Sequence, residues 1–284
     1  MTERFIAACV QTASGPDMAA NLEAAADLVR RARDAGADLI ALPENVPLMA
    51  PRSTEVRARA APLESHPALL RFRALAEEIG AWLLVGSIAV GAEDGRVANR
   101  SVLLDGDGRV VQSYDKIHMF DVDLPSGERY RESETFRAGS AARLAETPWG
   151  VLGMTVCYDL RFPQLYRALA QAGAGYLTIP SAFTKVTGEA HWHVLLRARA
   201  IENGCFVLAP AQTGNNYGSR YTFGHSLIVD PWGTVLADGG TEVGVVSAEI
   251  DPARIDEVRA MIPSLAHDRP FAVPEPRVRA VAGD

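Results

Sequence analysis

The stretch VLGMTVCYDLRFPQLYR, residues 151–167, changes its period in the middle. Up to Cys157 it is a short apolar run with β-branched residues, the pattern of a buried strand; beyond it Phe162, Leu165, Tyr166 and Leu169 recur at helical spacing. A strand that feeds straight into a helix is the building unit of an α/β fold, and here it sets a thiol at the seam. Free cysteine often packs as a small hydrophobe. The end of a strand entering a helix also offers a nucleophile backbone N–H groups and a helix dipole. Which reading applies to Cys157 depends on what the other strand ends carry.

Outward from this seam, apolar strand-like runs (Phe5 to Val10, Asp38 to Leu42, Trp82 to Val90) alternate with helical patterns (about Asn21 to Ala35, and Pro67 to Ile79). After the seam come a strand from Tyr176 to Pro180, a helix from about Glu189 to Asn203 with Gly204 at the C-cap position, and a strand from Phe206 to Ala211. Later strands at Gly224 to Val229 and Val243 to Ile250 precede a last helix near Arg254 to Met261. This βαβα layout is interrupted by hairpin signals: D-G turns in SVLLDGDGRVVQSY, and Pro-Trp-Gly turns at Trp149 and Trp232. The mixture argues for sheets packed face to face with helices outside rather than for one doubly wound sheet. No repeat or linker divides the chain. The reading is one domain over residues 1–262 and a tail over 263–284, whose Pro- and Arg-containing sequence packs on a neighbour or frays.

Composition narrows the function classes. With 48% hydrophobic and 22% charged residues the chain reads as a globular protein, and a net charge of −7 without basic runs leaves no nucleic-acid footprint. The start MTERFIAACVQT lacks a leader pattern and no run is long enough to span a membrane, so a cytoplasmic protein is expected. Cys9, Cys157 and Cys205 are odd in number and far apart, which supports neither a disulfide framework nor a zinc ribbon. Among the histidines, His191 and His193 are two apart on a predicted helix and point to different faces, and the other four show no ligand spacing. No metal is expected, and the missing phosphate and dinucleotide motifs give no cofactor.

Two further strand ends carry chemistry. Glu44 follows the apolar strand of LIALPEN, at the carboxyl rim where α/β proteins place their sites, and Lys116 closes the alternating run RVVQSYDK. Either alone reads as a solvated loop charge. With Cys157 they give an acid, a cation and a thiol at three strand ends, and a thiol needs a proton acceptor because free cysteine, with a pKa of about 8.5, is mostly un-ionised at neutral pH.

The strings LPEN, YDKIHMFD and VCYDLRFP together resemble the nitrilase superfamily of carbon–nitrogen hydrolases, in the right order across nearly the whole chain. The resemblance implies a four-layer αββα sandwich and a cofactor-free Glu–Lys–Cys triad: Glu44 as general base, Lys116 as oxyanion stabiliser, Cys157 as nucleophile, with Glu132 as the second glutamate beside the lysine. The N–H of Tyr158 would share the oxyanion. Phe183 and Thr184 are candidate pocket walls, and Arg161 is a candidate either for a substrate carboxylate or for a structural ion pair. The chain is most similar to the Nit branch, which acts on small carboxylated amides, deaminated glutathione and the amides of 2-oxo acids among them, so hydrolysis of such an amide to a carboxylate and ammonia is expected. Gln164 stands where RFPE is usual and His193 where HWE is usual, which bears on the substrate more than on the reaction. A nitrile or N-carbamoyl amino acid substrate and a non-catalytic scaffold or thiol sensor stay open. The family also implies a homodimer or higher homo-oligomer.

Overall fold

The computed structural model describes residues 3–91, 95–124 and 127–273. The first sheet begins with β1 (Phe5–Gln11), α1 (Met18–Asp34), β2 (Leu39–Ala41), α2 (Ser53–Arg59), α3 (Pro67–Ile79), β3 (Trp82–Gly91), β4 (Val97–Leu104) and β5 (Val110–Asp115). A small ribbon, β6 (Asp121–Asp123) and β7 (Arg129–Arg131), and the short β8 (Phe136–Arg137) lead to β9 (Arg143–Thr147) and β10 (Gly150–Met154). Then follow α4 (Pro163–Gln171), β11 (Tyr176–Thr178), α5 (Lys185–Asn203), β12 (Phe206–Ala209), the hairpin β13 (Thr213–Tyr217) and β14 (Arg220–Phe223), β15 (Leu227–Val229), β16 (Val235–Asp238), β17 (Gly244–Ile250) and α6 (Ala253–Met261).

Alternation along the strands shows how the layers stack. In β1, Ala8 and Val10 face the apolar side of α1 and α3, while Ala7 and Cys9 face the other way; β2 and the residue after it repeat this with Ile40 and Leu42 against Leu39 and Ala41. The inward set joins side chains of β10 to β12 and of α4 and α5 in one core. A strand with period 2 and both faces buried must lie between two layers. The order is therefore helices, sheet, sheet, helices: the αββα sandwich expected from the sequence. The first sheet runs β17-β1-β2-β3-β4-β5 with β8 beside β4, and the second runs β16-β15-β12-β11-β10-β9. Only the trios β1-β2-β3 and β10-β11-β12 are parallel throughout. The D-G and Pro-Trp-Gly turns join antiparallel neighbours, as their sequences suggest.

Two expectations change. The helix after Cys157 does not begin there: residues Cys157–Arg161 form a 3₁₀ turn and α4 starts at Pro163. Proline holds the preceding Phe162 outside the helical region and takes the first helical position itself. The segment expected as a strand from Gly224 opens with a glycine and a histidine in left-handed conformation, so pairing starts only at Leu227. Gly204 does close α5 in left-handed conformation, and Cys9 and Cys205 are buried free thiols. Trp149 stacks on Phe5 at 4.3 Å, whereas Trp232 is half-exposed. Of the expected tail, Ser264 donates to the Glu202 carbonyl and Gln171 to Asp268, and residues 274–284 lie outside the described residues.

Candidate active site

Glu44, Lys116 and Cys157 each leave the end of a strand, and local geometry fixes each one. Beyond β2 the chain turns at Asn45, a non-glycine residue with φ of 54°, whose N–H donates to Ser87 Oγ at 2.9 Å. Gly86 makes room for this turn: a Cβ there would lie 2.0 Å from the Leu42 carbonyl oxygen and 2.2 Å from that of Pro43. Lys116 follows β5 directly, its N–H donating to the Asn99 carbonyl. Cys157 sits on an elbow with φ of 50°, its own N–H donating to Pro180 O at 3.0 Å. Such a conformation costs an L residue about 1 kcal/mol or more and persists only where the surroundings enforce it. Here Asp159 enforces it: this fully buried carboxylate accepts from the Val156 N–H (2.9 Å), the Tyr114 hydroxyl (2.7 Å), and the His118 N–H and Nδ1 (3.0 and 2.7 Å).

The three ends converge with Glu132 on one buried cluster. The Lys116 ammonium donates to Glu44 Oε1 at 2.9 Å and to both Glu132 oxygens at 2.9 and 2.8 Å. Asn99 Nδ2 also reaches Glu44 Oε1 at 2.9 Å, and the Ala182 N–H donates to Glu44 Oε2 at 3.0 Å. Burial works to lower the pKa of the Lys116 ammonium, but the Glu132 and Glu44 carboxylates outweigh it and hold the group well above the usual lysine range. Burial pushes Glu132 up, offset in part by Lys116. Burial, and then the charge of Glu44, push the Cys157 thiol up as well, with Lys116 opposing. The turn is short and 3₁₀ and so lacks the helix dipole that the sequence suggests, and burial together with the Glu44 charge favours the neutral thiol.

A cavity of about 250 Å³ opens onto this cluster. Glu44, Lys116, Glu132 and Cys157 line it, and so do Tyr158, Phe183 and Thr184. Arg161 is not among the lining residues: its guanidinium lies over the rings of Tyr158 and Phe183 and donates to His191 Nδ1 at 3.2 Å. Of the two departures from the Nit pattern, Gln164 is exposed on α4 and His193 Nε2 meets Asp238 at 3.0 Å.

Sequence reasoning missed Asn99, Asp159, Ala182, Tyr130 and Arg220. A buried asparagine in the apolar run of β4 was a readable signal; Ala182 acts through its backbone and carries none. The histidine spacing also conceals a cluster, since His193 Nε2, His225 Nδ1 and an Asp238 oxygen come from three separate elements to lie within 4.8 Å of one another.

The comparisons agree with this geometry. Residues 6–260 match the model of the family described as carbon-nitrogen hydrolase. The chain is 41% identical over 267 residues to a Synechocystis protein named deaminated glutathione amidase, covering 93% of this chain and 97% of that one. The human protein of the same name is 42% identical over 271 residues, 94% of this chain and 82% of its own. Among solved structures, yeast Nit3, described as a member of branch 10 of the nitrilase superfamily, superimposes with a TM-score of 0.84 at 31% identity, over 92% of this chain and 95% of that one. The C. elegans NitFhit protein gives a TM-score of 0.88 at 37% identity, over 94% of this chain and 66% of that one. A family match over nearly the whole chain, on the sandwich described above, means that the chain belongs to the carbon-nitrogen hydrolase family, enzymes that hydrolyse C–N bonds other than peptide bonds.

Proposed function

We propose that the chain is a cysteine-dependent amidase acting on small carboxylated amides, deaminated glutathione first among them. The observation that carries this reading is the convergence of Glu44, Lys116 and Cys157 on one cavity, with the Lys116 ammonium 2.9 Å from the Glu44 carboxylate. Glu44 takes the thiol proton as sulfur attacks the amide carbonyl, which keeps a free thiolate out of the resting site. The oxyanion that forms is held by the Lys116 ammonium and by the N–H of Tyr158, one of the amides at the start of the 3₁₀ turn that have no partner within it. Glu44 then hands its proton to the leaving nitrogen and later activates the water that hydrolyses the thioester. Glu132 keeps Lys116 charged and aimed. For a primary amide the leaving group is ammonia, as the sequence reading expected; deaminated glutathione is a secondary amide and releases an amine instead.

The substrate choice is supported by relatives 41–42% identical over more than nine-tenths of the chain that bear that name. A single domain over 1–262 remains our reading. A homo-oligomer is supported by the exposed apolar side chains of Val194 (68%) and Ile201 (49%), seven residues apart on one face of α5. Among the described residues no helix is long and apolar enough to cross a membrane. The test is turnover of deaminated glutathione, followed as 2-oxoglutarate released, by wild type and Cys157→Ala, with 2-oxoglutaramate and an aliphatic nitrile alongside. Preference for deaminated glutathione and a silent variant are expected; thiol-dependent activity on the nitrile alone would discard the amidase reading.

A further inference from the structure

Three cations line the cavity: Lys116, Arg131 and Arg220. Lys116 is held between two carboxylates, and Arg131 is paired with Asp123 at 2.9 Å. Arg220 has no carboxylate partner among the described residues. Its Nη2 donates to the Ala182 carbonyl at 2.7 Å and its guanidinium lies 4.8 Å from the centre of the Tyr130 ring, while its buried Nη1 makes no hydrogen bond. The Tyr130 hydroxyl is turned to Glu128 at 3.1 Å. A buried guanidinium N–H without an acceptor is costly, and an anion is its natural complement.

We infer that Arg220 is the residue that selects a carboxylate on the amide substrate, the role for which Arg161 stands too far outside the cavity wall. The inference rests on the amidase reading above and adds to it the source of its specificity. Charge balance points the same way. Glu44 and Glu132 against Lys116 leave the cluster with an excess of carboxylate, so an anionic substrate needs a cation of its own, and Arg131 is already neutralised. Position agrees too: Ala182 accepts from Arg220 at its carbonyl and donates to Glu44 through its N–H, so a single residue separates the anchor from the proton acceptor. A carboxylate held at Nη1 is thereby registered against the reacting bond.

The experiment compares glutaramate with its uncharged methyl ester, reading ammonia release for wild type, Arg220→Gln, Arg220→Lys and Cys157→Ala. Wild type prefers the acid over the ester by about 10- to 100-fold in kcat/KM, the range of a charge-assisted hydrogen bond. In Arg220→Gln this ratio collapses towards one, through the KM of the acid. Arg220→Lys keeps the charge without the fork, retains part of the ratio, and supplies the reading should the glutamine variant not fold. Equal losses on both substrates with the ratio intact would reduce Arg220 to a prop for Ala182 and overturn the inference. So would Cys157-dependent turnover of the ester by wild type without preference for the acid, which leaves the amidase reading standing. No Cys157-dependent ammonia from either compound would overturn both.

Discussion

Read from opposite ends, the two sheets have the same plan. In the order β17-β1-β2-β3-β4-β5 and the order β9-β10-β11-β12-β15-β16, a parallel trio has one antiparallel strand outside its first member and two beyond its third. The chain shows no internal sequence repeat, so the plan is shared by topology alone. What differs is the cargo that the strand ends carry. The first sheet delivers charge, Glu44 after β2 and Lys116 after β5; the second delivers the Cys157 thiol after β10 and the Ala182 backbone N–H beyond β11. Neither half holds a complete site. Chemistry therefore depends on the packing between the sheets, and Asp159 is a strap across it, since its partners Tyr114 and His118 flank Lys116 while its own turn carries Cys157.

The sharpest way to break this comparison is to remove one contribution from each side. Cys157→Ala should abolish turnover, a loss of about 10⁵-fold or more, and Glu44→Gln should cost roughly 10³- to 10⁴-fold. Because the residues act as a unit, the double variant should be no worse than Cys157→Ala; an additive result in single-turnover assays would mean that the two sheets act independently. Asp159→Asn comes next. It turns an acceptor of four hydrogen bonds into a group that also donates, and should cost about 3 kcal/mol of stability and about 100-fold in kcat. A denaturant-melt cycle with Tyr114→Phe should show coupling of at least about 0.5 kcal/mol, and its absence would remove the strap.

Glycines give a smaller contrast. Gly86 lies under the Glu44 turn with only backbone in the way, so Gly86→Ala must push that turn aside; we expect about 3 kcal/mol of lost stability and a marked drop in kcat. In the second sheet, a Cβ on Gly153 would meet the side chains of Leu169 and Leu177 at 3.2 Å, and these can give. Gly153→Ala should cost about 1 kcal/mol, with kcat little changed. Equal kinetic damage from both would show that the Glu44 turn is not the vulnerable one.

Much of this was legible in the sequence. The period change at Cys157, the strand ends at Glu44 and Lys116, and three ordered motifs were enough for the sandwich and for the cluster. What stayed hidden has physical reasons. Asp159 reads as a capping acid within CYDLR, and its cross-sheet bonds come from residues more than 40 positions away. Ala182 contributes backbone only, which no side-chain pattern reports. Arg220 lies in the hairpin NNYGSRYTF, polar enough to pass for a solvated loop, until folding lays it over Tyr130 inside the cavity. Arg161 had the better sequence position, four residues after the thiol, yet the 3₁₀ turn carries it behind Tyr158 and Phe183.

The smallest expected effect separates the two helix layers. The helix that leads into β3 is α3, capped by His66, whose Nδ1 accepts the Ala68 N–H at 3.2 Å; the one between β11 and β12 is α5, capped by the Thr184 hydroxyl, which accepts from the Thr187 N–H at 3.3 Å. Only the first cap titrates. Burial, offset in part by the Ala89 carbonyl, holds the His66 imidazole below its ordinary value of 6.5. A base with a depressed folded pKa binds fewer protons folded than unfolded, so its contribution is complete above about pH 6.5 and is lost as pH falls below that. Protonation also removes the lone pair on which the cap depends, and an N-cap contributes about 1 kcal/mol. Between pH 7 and 5, hydrogen exchange in the first turn of α3 should therefore accelerate relative to that of α5, and His66→Asn, which keeps an acceptor that does not titrate, should flatten the difference. Equal acceleration of both helices would trace the acid response to the shared core and not to the cap, and the two layers would then be alike in this respect as they are in topology.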